Sequence, residues 1–289
     1  MRRYELSDQQ WAILEPFFPP THSGHAGHPW SEHRPIVNGI LWILHTGAAW
    51  RDLPQRYGPF QTVHDRSSHW RDDGTWNRIV EALLRQLDEQ KHLDPETWFL
   101  DATILRATRD AAGARHRTKS RLLGSERTHL VEPPDHALGR SRGGFGTKID
   151  VIIEGHGIPI AIGIQPGQEH ESRAFETMMH RSTQRQRWGH RKWPREFIAD
   201  KGYSSQRIRQ WLKDHRIHAV IPKKKNEKPD PNFDKQAYRK RNLMERVIGW
   251  FKLHRRLATR YEKLAVNFLT FWTVGWITLL LQYLLPDTA

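Results

Sequence analysis

The sequence contains no cysteine in 289 residues. This absence excludes disulfide bridges and thiolate zinc sites, and with them zinc fingers of the usual kinds. Any bound metal ion must therefore rest on oxygen or imidazole ligands. The first twenty residues also lack the continuous apolar core of a signal peptide, since Asp8 and Glu15 interrupt them. We therefore expect a cytoplasmic protein.

Acidic residues are scarce relative to basic ones. The chain has 46 Lys and Arg residues against 32 Asp and Glu residues, which gives a formal net charge of +14. A surface this basic attracts polyanions, because each Lys or Arg near a phosphate releases condensed counterions. The charge favours nucleic acid as the partner, and a basic protein without such a partner is the alternative.

Long apolar runs are few, and the one that approaches the length of a short membrane span is Phe268 to Leu285. It contains three threonines and a glutamine. Trp272 and Trp276 stand near its middle, whereas membrane spans carry tryptophan at their ends. We expect a buried closing helix and no membrane contact, with a membrane-attached protein as the alternative.

The N-terminal part, residues 1–90, is predicted to be all-helical. Ser7 is a candidate N-cap with Gln10 three residues on, and apolar helices are predicted at Ile36 to Leu44 and Trp76 to Leu87. Short helices with basic residues and tight turns are typical of a helix-turn-helix-like DNA reader, and also of any small helical bundle.

From about residue 96 the apolar pattern becomes that of strands. Gly155 and Gly157 indicate a hairpin between the second and third strands, and a helix capped by Ser204 is predicted over Ser204 to His215. The predicted strands are Thr97 to Ala102, Lys148 to Glu154, Ile158 to Ile164, Glu196 to Asp200 and His218 to Pro222. This order indicates a mixed sheet covered by helices, which places the chain in the α/β class.

Two aspartates stand at chemically costly positions. Asp101 follows Trp98, Phe99 and Leu100, and Asp200 follows an apolar run in the same way. A carboxylate there is expensive to desolvate unless a cation offsets it. If the two lie side by side, they repel each other unless a divalent ion sits between them. Each alone is more often a strand-end or turn cap.

A helix near the C-terminus presents a third acid. At about 100° per residue, Tyr238, Arg241, Glu245 and Lys252 share one face within roughly 60°. Leu243, Val247, Trp250 and Phe251 lie opposite. An amphipathic helix with a solvated ion pair between Arg241 and Glu245 is the equally weighted alternative.

These motifs resemble the DDE transposases of bacterial insertion sequences, in the branch similar to insertion sequence five. Its signature of Tyr, Arg, Glu and Lys appears as YRKRNLMERVIGWFK from Tyr238 to Lys252. The similarity extends to LDAT around Asp101, ADKGY around Asp200, GRSRGGFGTKI from Gly139, RRLATRYEKLA from Arg255 and TGAAWRDLPQRYGPFQTV from Thr46. One departure is Thr108, which stands where a histidine is frequent.

The resemblance implies a ribonuclease H-like mixed sheet flanked by helices and preceded by a small all-α helical domain. It implies that Asp101, Asp200 and Glu245 bind two Mg²⁺ or Mn²⁺ ions, and that Tyr238, Arg241 and Lys252 contact transposon-end DNA. The implied reaction is metal-dependent cleavage at the transposon ends, followed by attack of the freed 3′-hydroxyl on target DNA. A dimer or larger assembly on DNA is expected.

The same resemblance divides the chain into a DNA-end-binding region at 1–90 and a catalytic domain at 91–289, in a protein associated with the bacterial nucleoid. Further candidates for DNA contacts are Arg142, Lys148, Arg255 and Arg256, with weaker ones at Arg140, Arg260 and Lys263. His170 could approach the metals, although a turn histidine is the commoner case. A transposase-derived DNA-binding protein that no longer cuts DNA is the alternative function.

Overall fold

The computed structural model describes residues 3–21, 30–114, 132–141, 143–185, 193–228, 230–231 and 233–286. The main N-terminal helices are α1 (Asp8–Leu14), α2 (His33–Thr46), α3 (Phe60–Asp72) and α4 (Thr75–Glu89). Helix α1 begins with the predicted capping box, in which Ser7 and Gln10 exchange side-chain and backbone hydrogen bonds. The expected helical N-terminal region is therefore confirmed.

The next part of the chain forms a mixed sheet, with six strands in the ranges described. Strand β3 pairs antiparallel with β1, β2 and β4, while β1 pairs parallel with β5 and β5 parallel with β6. The strands are β1 (Thr97–Arg106), β2 (Gly139–Ser141), β3 (Gly144–Glu154), β4 (Pro159–Pro166), β5 (Glu196–Ala199) and β6 (His218–Val220). This arrangement is the ribonuclease H-like sheet that was expected, and the predicted hairpin joins β3 to β4 through Gly157 at φ +92°.

In the described ranges, seven further α-helices lie between the strands and after the last of them. They are α5 (Arg109–Ala112), α6 (Phe175–Arg185), α7 (Gln206–Asp214), α8 (Lys235–Arg239), α9 (Asn242–Leu253), α10 (Arg255–Ala258) and α11 (Ala265–Leu284). Helix α6 packs on β4 and β3, and α9 packs on β1. The expected fold, a mixed α/β sheet flanked by helices and preceded by helices, is confirmed.

Helix α11 is the predicted closing helix and forms the centre of the packing. It contacts α4, β4, α10, α2 and α9, and twelve of its 20 residues are buried. Trp272 is fully buried, and the Trp276 indole donates to the Pro159 carbonyl at 2.9 Å. By length and hydropathy α11 could cross a membrane, but 67% of its apolar window is buried inside the protein. It therefore serves as a core helix that joins the N-terminal helices to the sheet.

Several local predictions differ from the structure: β3 begins at Gly144 and not at Lys148, and β6 ends at Val220 and not at Pro222. Helix α7 is capped by Ser205, whose side chain accepts from the Ile208 amide, and not by Ser204. The Ser204 hydroxyl instead donates to Glu227, which leaves the adjacent serine to cap the helix. Strand β1 also runs on to Arg106, because β3 pairs with it along its whole length.

Candidate active site

Asp101 on β1 and Asp200 just after β5 occupy neighbouring positions on two parallel segments. The register of β1 and β5 pairs Leu100 with Ala199, so each aspartate directly follows that pair. Asp101 accepts a hydrogen bond from the Ala102 amide at 2.9 Å, and its side chain is 13% exposed. Asp200 caps the short turn after β5 by accepting from the Gly202 amide at 2.7 Å. The structure therefore brings the two sequence-predicted acids together at one edge of the sheet.

The guanidinium of Arg241 lies between Asp101 and Glu245. Its Nη2 donates to Asp101 Oδ2 at 2.5 Å, and its Nη1 lies 3.4 Å from Glu245 Oε1. The Glu245 side chain is 69% exposed, whereas that of Arg241 is 22% exposed. The Arg241 Nε is buried and has no hydrogen-bond partner within the described ranges. Arg241 thus supplies the positive charge that a buried aspartate requires.

This positive charge does not fully compensate for burial. Burial raises the pKa of Asp101 above its ordinary value, the Arg241 charge and the Ala102 amide oppose the increase, and the Asp200 charge adds to it. Burial also raises the pKa of Tyr238, whose surroundings include Arg241 and all three acids. Tyr238, Arg241, Glu245 and the two aspartates therefore form one electrostatic cluster with an excess of negative charge.

The helix that carries this motif differs from the expected one. Instead of one helix from Tyr238 to Lys252, the chain forms α8, a turn at residues 240–241, and α9. The buried stripe of α9 consists of Met244, Val247, Ile248 and Phe251. Leu243 and Trp250, expected on that stripe, are only half-buried. The turn places Arg241 at the N-terminus of α9, where it reaches Asp101.

Divalent-cation chemistry fits part of this cluster. Asp101 on β1 and Asp200 just after β5 are carboxylates, the ligand type that Mg²⁺ and Mn²⁺ prefer, and Arg241 compensates their negative charge only in part. Within the ranges that the structure describes, no three His, Asp or Glu side chains are arranged to hold a metal. Arg241 stands between Asp101 and Glu245, so Glu245 would join a shared ion only by exchanging this guanidinium.

The residues expected to contact DNA divide into exposed and buried ones. Lys252, Arg255 and the weaker candidate Arg140 are exposed. Lys148 is buried and donates to the Glu169 carbonyl, and Arg256 is buried and donates to Glu262. A phosphate contact needs an exposed cation, and neither Lys148 nor Arg256 is exposed. Arg142 lies outside the described residues.

Two weaker candidates have structural roles. Arg260 is fully buried and donates to the carbonyls of Glu262, Lys263 and Ala137. His170 is exposed, and its Nδ1 accepts from the Ser172 amide at 3.2 Å, so it is a turn histidine. Thr108 caps α5 through the Ala111 amide. None of these bonds joins Arg260, His170 or Thr108 to the acid cluster.

Three residues near the cluster were not identified as candidates from the sequence. They are Glu171, Asp150 and Tyr203. Glu171 lies in GQEHE beside the candidate His170, and Tyr203 lies in the ADKGY motif around Asp200. Asp150 interrupts the apolar run of β3 and is almost fully buried, which a charged residue inside such a run could have indicated.

Asp150 leads to a prediction about the pH dependence of stability. Burial raises its pKa to about 7, against the opposing effects of the Lys148 charge and a hydrogen bond from Gln165. The folded protein therefore retains a proton that the unfolded chain loses near pH 4, so Asp150 makes stability fall between about pH 4 and 7. We expect the free energy of unfolding of Asp150→Asn, minus that of the wild type, to rise by a few kcal/mol across this window.

Urea unfolding of both proteins at several pH values measures this difference. The control is Asp214→Asn, since Asp214 is an exposed residue at the end of α7. A difference between Asp150→Asn and wild type that stays constant with pH would contradict the raised pKa.

Comparisons with known proteins identify the family of the chain. A family model described as "Transposase DDE domain" matches residues 92–281, and one described as "Putative transposase of IS4/5 family (DUF4096)" matches residues 6–80. The chain is 33% identical over 117 residues to the uncharacterized protein y4sN of Sinorhizobium fredii, covering 40% of this chain and 88% of that protein. It is 32% identical over 107 residues to the "Insertion element IS402 uncharacterized 16.2 kDa protein" of Burkholderia cepacia, covering 35% of this chain and 73% of that protein.

Solved structures with a similar fold are more distant. The Mos1 Strand Transfer Complex aligns with 88% of this chain and 73% of its own chain, at 13% identity and a TM-score of 0.34. The Mos1 mariner paired end complex with Mn aligns with 96% and 87%, at 12% identity and a TM-score of 0.27. At these values the role of an individual residue does not transfer from one protein to the other.

Proposed function

Because the chain belongs to the family of transposase DDE domains, we propose that it cuts DNA at the ends of a mobile element and joins the freed 3′-hydroxyl to target DNA. The proposal includes the branch similar to insertion sequence five, whose signature spans Tyr238 to Lys252. The observation that carries it is the adjacency of Asp101 on β1 and Asp200 just after β5, with Arg241, at the start of α9, bonded to Asp101 and to Glu245 of that helix.

Asp101, Asp200 and Glu245 are the residues that would hold Mg²⁺ or Mn²⁺, two ions in all. Such a pair activates the attacking water or 3′-hydroxyl and stabilises the leaving oxygen. In the structure the Arg241 guanidinium pairs with Asp101 and lies close to Glu245. On DNA binding, this guanidinium would turn to a phosphate, and Asp101 and Glu245 would then be free to bind the cation. Tyr238, beside the same acids, would orient the DNA end.

The surface around this cluster suits DNA. With a net charge of +14, the protein attracts phosphates, and Lys252 and Arg255 are exposed at and just beyond the end of α9. We assign phosphate contacts to these two and structural roles to Lys148 and Arg256. The DNA partners proposed are the terminal inverted repeats and the target, bound by a dimer or larger assembly in the nucleoid of a bacterial cytoplasm.

We further propose that residues 1–90 read the transposon end and residues 91–289 perform the chemistry. The segment between α4, which ends at Glu89, and β1, which begins at Thr97, is the natural boundary, and the two family matches stop and start around it. Packing of α11 against α4 would hold the end-binding region rigidly to the sheet.

A cleavage assay tests this function. The substrate is a duplex with the inverted repeats that flank the reading frame, incubated with Mg²⁺ or Mn²⁺ and, separately, with a chelator. We expect strand cleavage at the repeat ends in the presence of the cation only. Binding of the repeats without cleavage in any divalent cation would instead favour a transposase-derived DNA-binding protein.

A further inference from the structure

A carboxylate outside the predicted triad faces Asp200. Glu171 begins the short 3-10 turn Glu171–Arg173, which follows β4 and a loop. A Cβ atom placed on Gly202 would lie 2.4 Å from Glu171 Oε2 and 2.8 Å from Asp200 Oδ1. The two oxygens therefore border one small space, which stays open because residue 202 has no side chain. Glu171 thus approaches Asp200 directly, whereas Glu245 reaches Asp101 only through Arg241.

Positive charge near Glu171 is limited. Lys148 Nζ lies 3.8 Å from Glu171 Oε1, but it also donates to the Glu169 carbonyl at 2.6 Å. Burial raises the pKa of Glu171, and the charges of Asp200 and Asp101 add to the increase, while Lys148 opposes it. Lys148 and Arg241 together face Glu171, Asp101, Asp200 and Glu245, so negative charge stays in excess, an arrangement that attracts a further cation.

A buried hydroxyl is directed into the same cluster. Tyr203, one residue after Gly202, is fully buried, and its hydroxyl has no hydrogen-bond partner in the part of the chain that the structure describes. Burial raises the pKa of Tyr203 well above its ordinary value, with further increases from four nearby carboxylates, Asp150, Glu171, Asp101 and Asp200. A buried phenol normally donates a hydrogen bond. The hydroxyl can donate to one of these carboxylates once their side chains turn to bind a cation.

We propose that Glu171 binds the divalent cation together with Asp101 and Asp200. This assignment rests on the function proposed above and adds a ligand to it. Glu171 lies beside Asp200 and away from Arg241, so these two carboxylates are available to a cation while Arg241 stays paired with one oxygen of Asp101. The side chains must turn to close around the ion, since the described residues do not already group three acids in that way. The chain would then bind a first cation before DNA, with Glu245 joining once a phosphate has displaced Arg241.

Binding of Mn²⁺ to the DNA-free protein tests the assignment, with free Mn²⁺ measured by electron paramagnetic resonance. We expect Glu171→Gln to weaken Mn²⁺ binding about tenfold or more, and Glu176→Gln to leave it unchanged. Glu176 lies on α6 and pairs with Arg207, and it is not among the acids whose charges act on Asp101, Glu171 or Tyr203. The metal-free thermal midpoint of Glu171→Gln should equal or exceed that of the wild type, because repulsion from the aspartates is removed. A purely structural Glu171 would lower that midpoint and leave Mn²⁺ binding unchanged, which would overturn the assignment.

Localised cleavage of the wild-type backbone gives a second test that needs no variant. Fe²⁺ bound in place of Mn²⁺, with ascorbate and peroxide, cuts the chain next to its ligands. We expect cuts near residues 101, 171 and 200. Cuts near 101 and 200 without one near 171 would overturn the Glu171 assignment alone.

If Asp101→Asn and Asp200→Asn also leave Mn²⁺ binding unchanged, the metal pocket of the proposed function fails as well.

Discussion

Replacing Asp200 with asparagine, or Asp101 with asparagine, lowers the rate of DNA cleavage by about 10³-fold or more, because each change removes a charged ligand and several kcal/mol of transition-state stabilisation. Glu245→Gln has the same effect. Asparagine retains the size of the side chain, and at position 200 its amide oxygen can still accept from Gly202. Folding and binding to transposon-end DNA therefore survive.

The measurement combines single-turnover cleavage of a labelled DNA end with a gel-shift assay on the same duplex. Asp214→Asn is the control, since Asp214 is exposed at the end of α7 and its charge is not among those that act on Asp101 or Tyr238. Normal cleavage by any of the three active-site variants would remove the assignment. The thermal midpoint of Asp101→Asn is recorded alongside. If this variant lost both folding and cleavage, the result would show only that Arg241 cannot remain unpaired.

Arg256→Ala is expected to destabilise the protein by about 3 kcal/mol, because it leaves a buried carboxylate without its counter-ion. Arg256 Nε donates to Glu262 Oε1 at 2.6 Å, and both side chains are at most 7% exposed. Its Nη1 also donates to the Ala48 carbonyl at 3.0 Å, which ties α10 to the N-terminal helices. The second carboxylate oxygen, Glu262 Oε2, has no hydrogen-bond partner within the described residues, so Arg256 is the cation on which this carboxylate depends.

The adjacent Arg255 is a matched control, since it is the same residue type on the same short helix but exposed. Arg255→Ala should leave the free energy of unfolding, measured in urea, within about 0.5 kcal/mol of wild type and weaken DNA binding instead. If Arg256→Ala retained full stability and lost affinity for DNA, then Arg256 would be a DNA contact and our structural assignment would be wrong.

The main elements were predictable because they depend on local patterns. The two aspartates each follow a short apolar run, Trp98 to Leu100 on β1 and Phe197 to Ala199 on β5, and the residues of both runs are almost fully buried. The capping box at Ser7 and the hairpin at Gly157 follow from residue types with strong local preferences. The adjacency of the two aspartates was a hypothesis from the sequence, and the β1 and β5 register places them side by side.

The remaining features depend on partners distant in the chain. The sequence does not distinguish Arg255 from Arg256, since only Glu262 and Ala48 determine which of them is buried. Helical periodicity continues through the turn at residues 240–241, which contains neither glycine nor proline, so the break between α8 and α9 has no local signal. Ser204 and Ser205 suit an N-cap equally well, and the hydrogen bond from Ser204 to Glu227 decides between them.

The most direct test of a shared cation pocket is an anomalous-scattering map from crystals of the protein bound to transposon-end DNA and Mn²⁺. We predict Mn²⁺ peaks about 2 Å from carboxylate oxygens of Asp101 and Asp200, with Glu245 turned towards them and Arg241 moved onto a phosphate. Well-occupied Mn²⁺ sites away from both aspartates, with the bond between Arg241 and Asp101 intact on bound DNA, would contradict it.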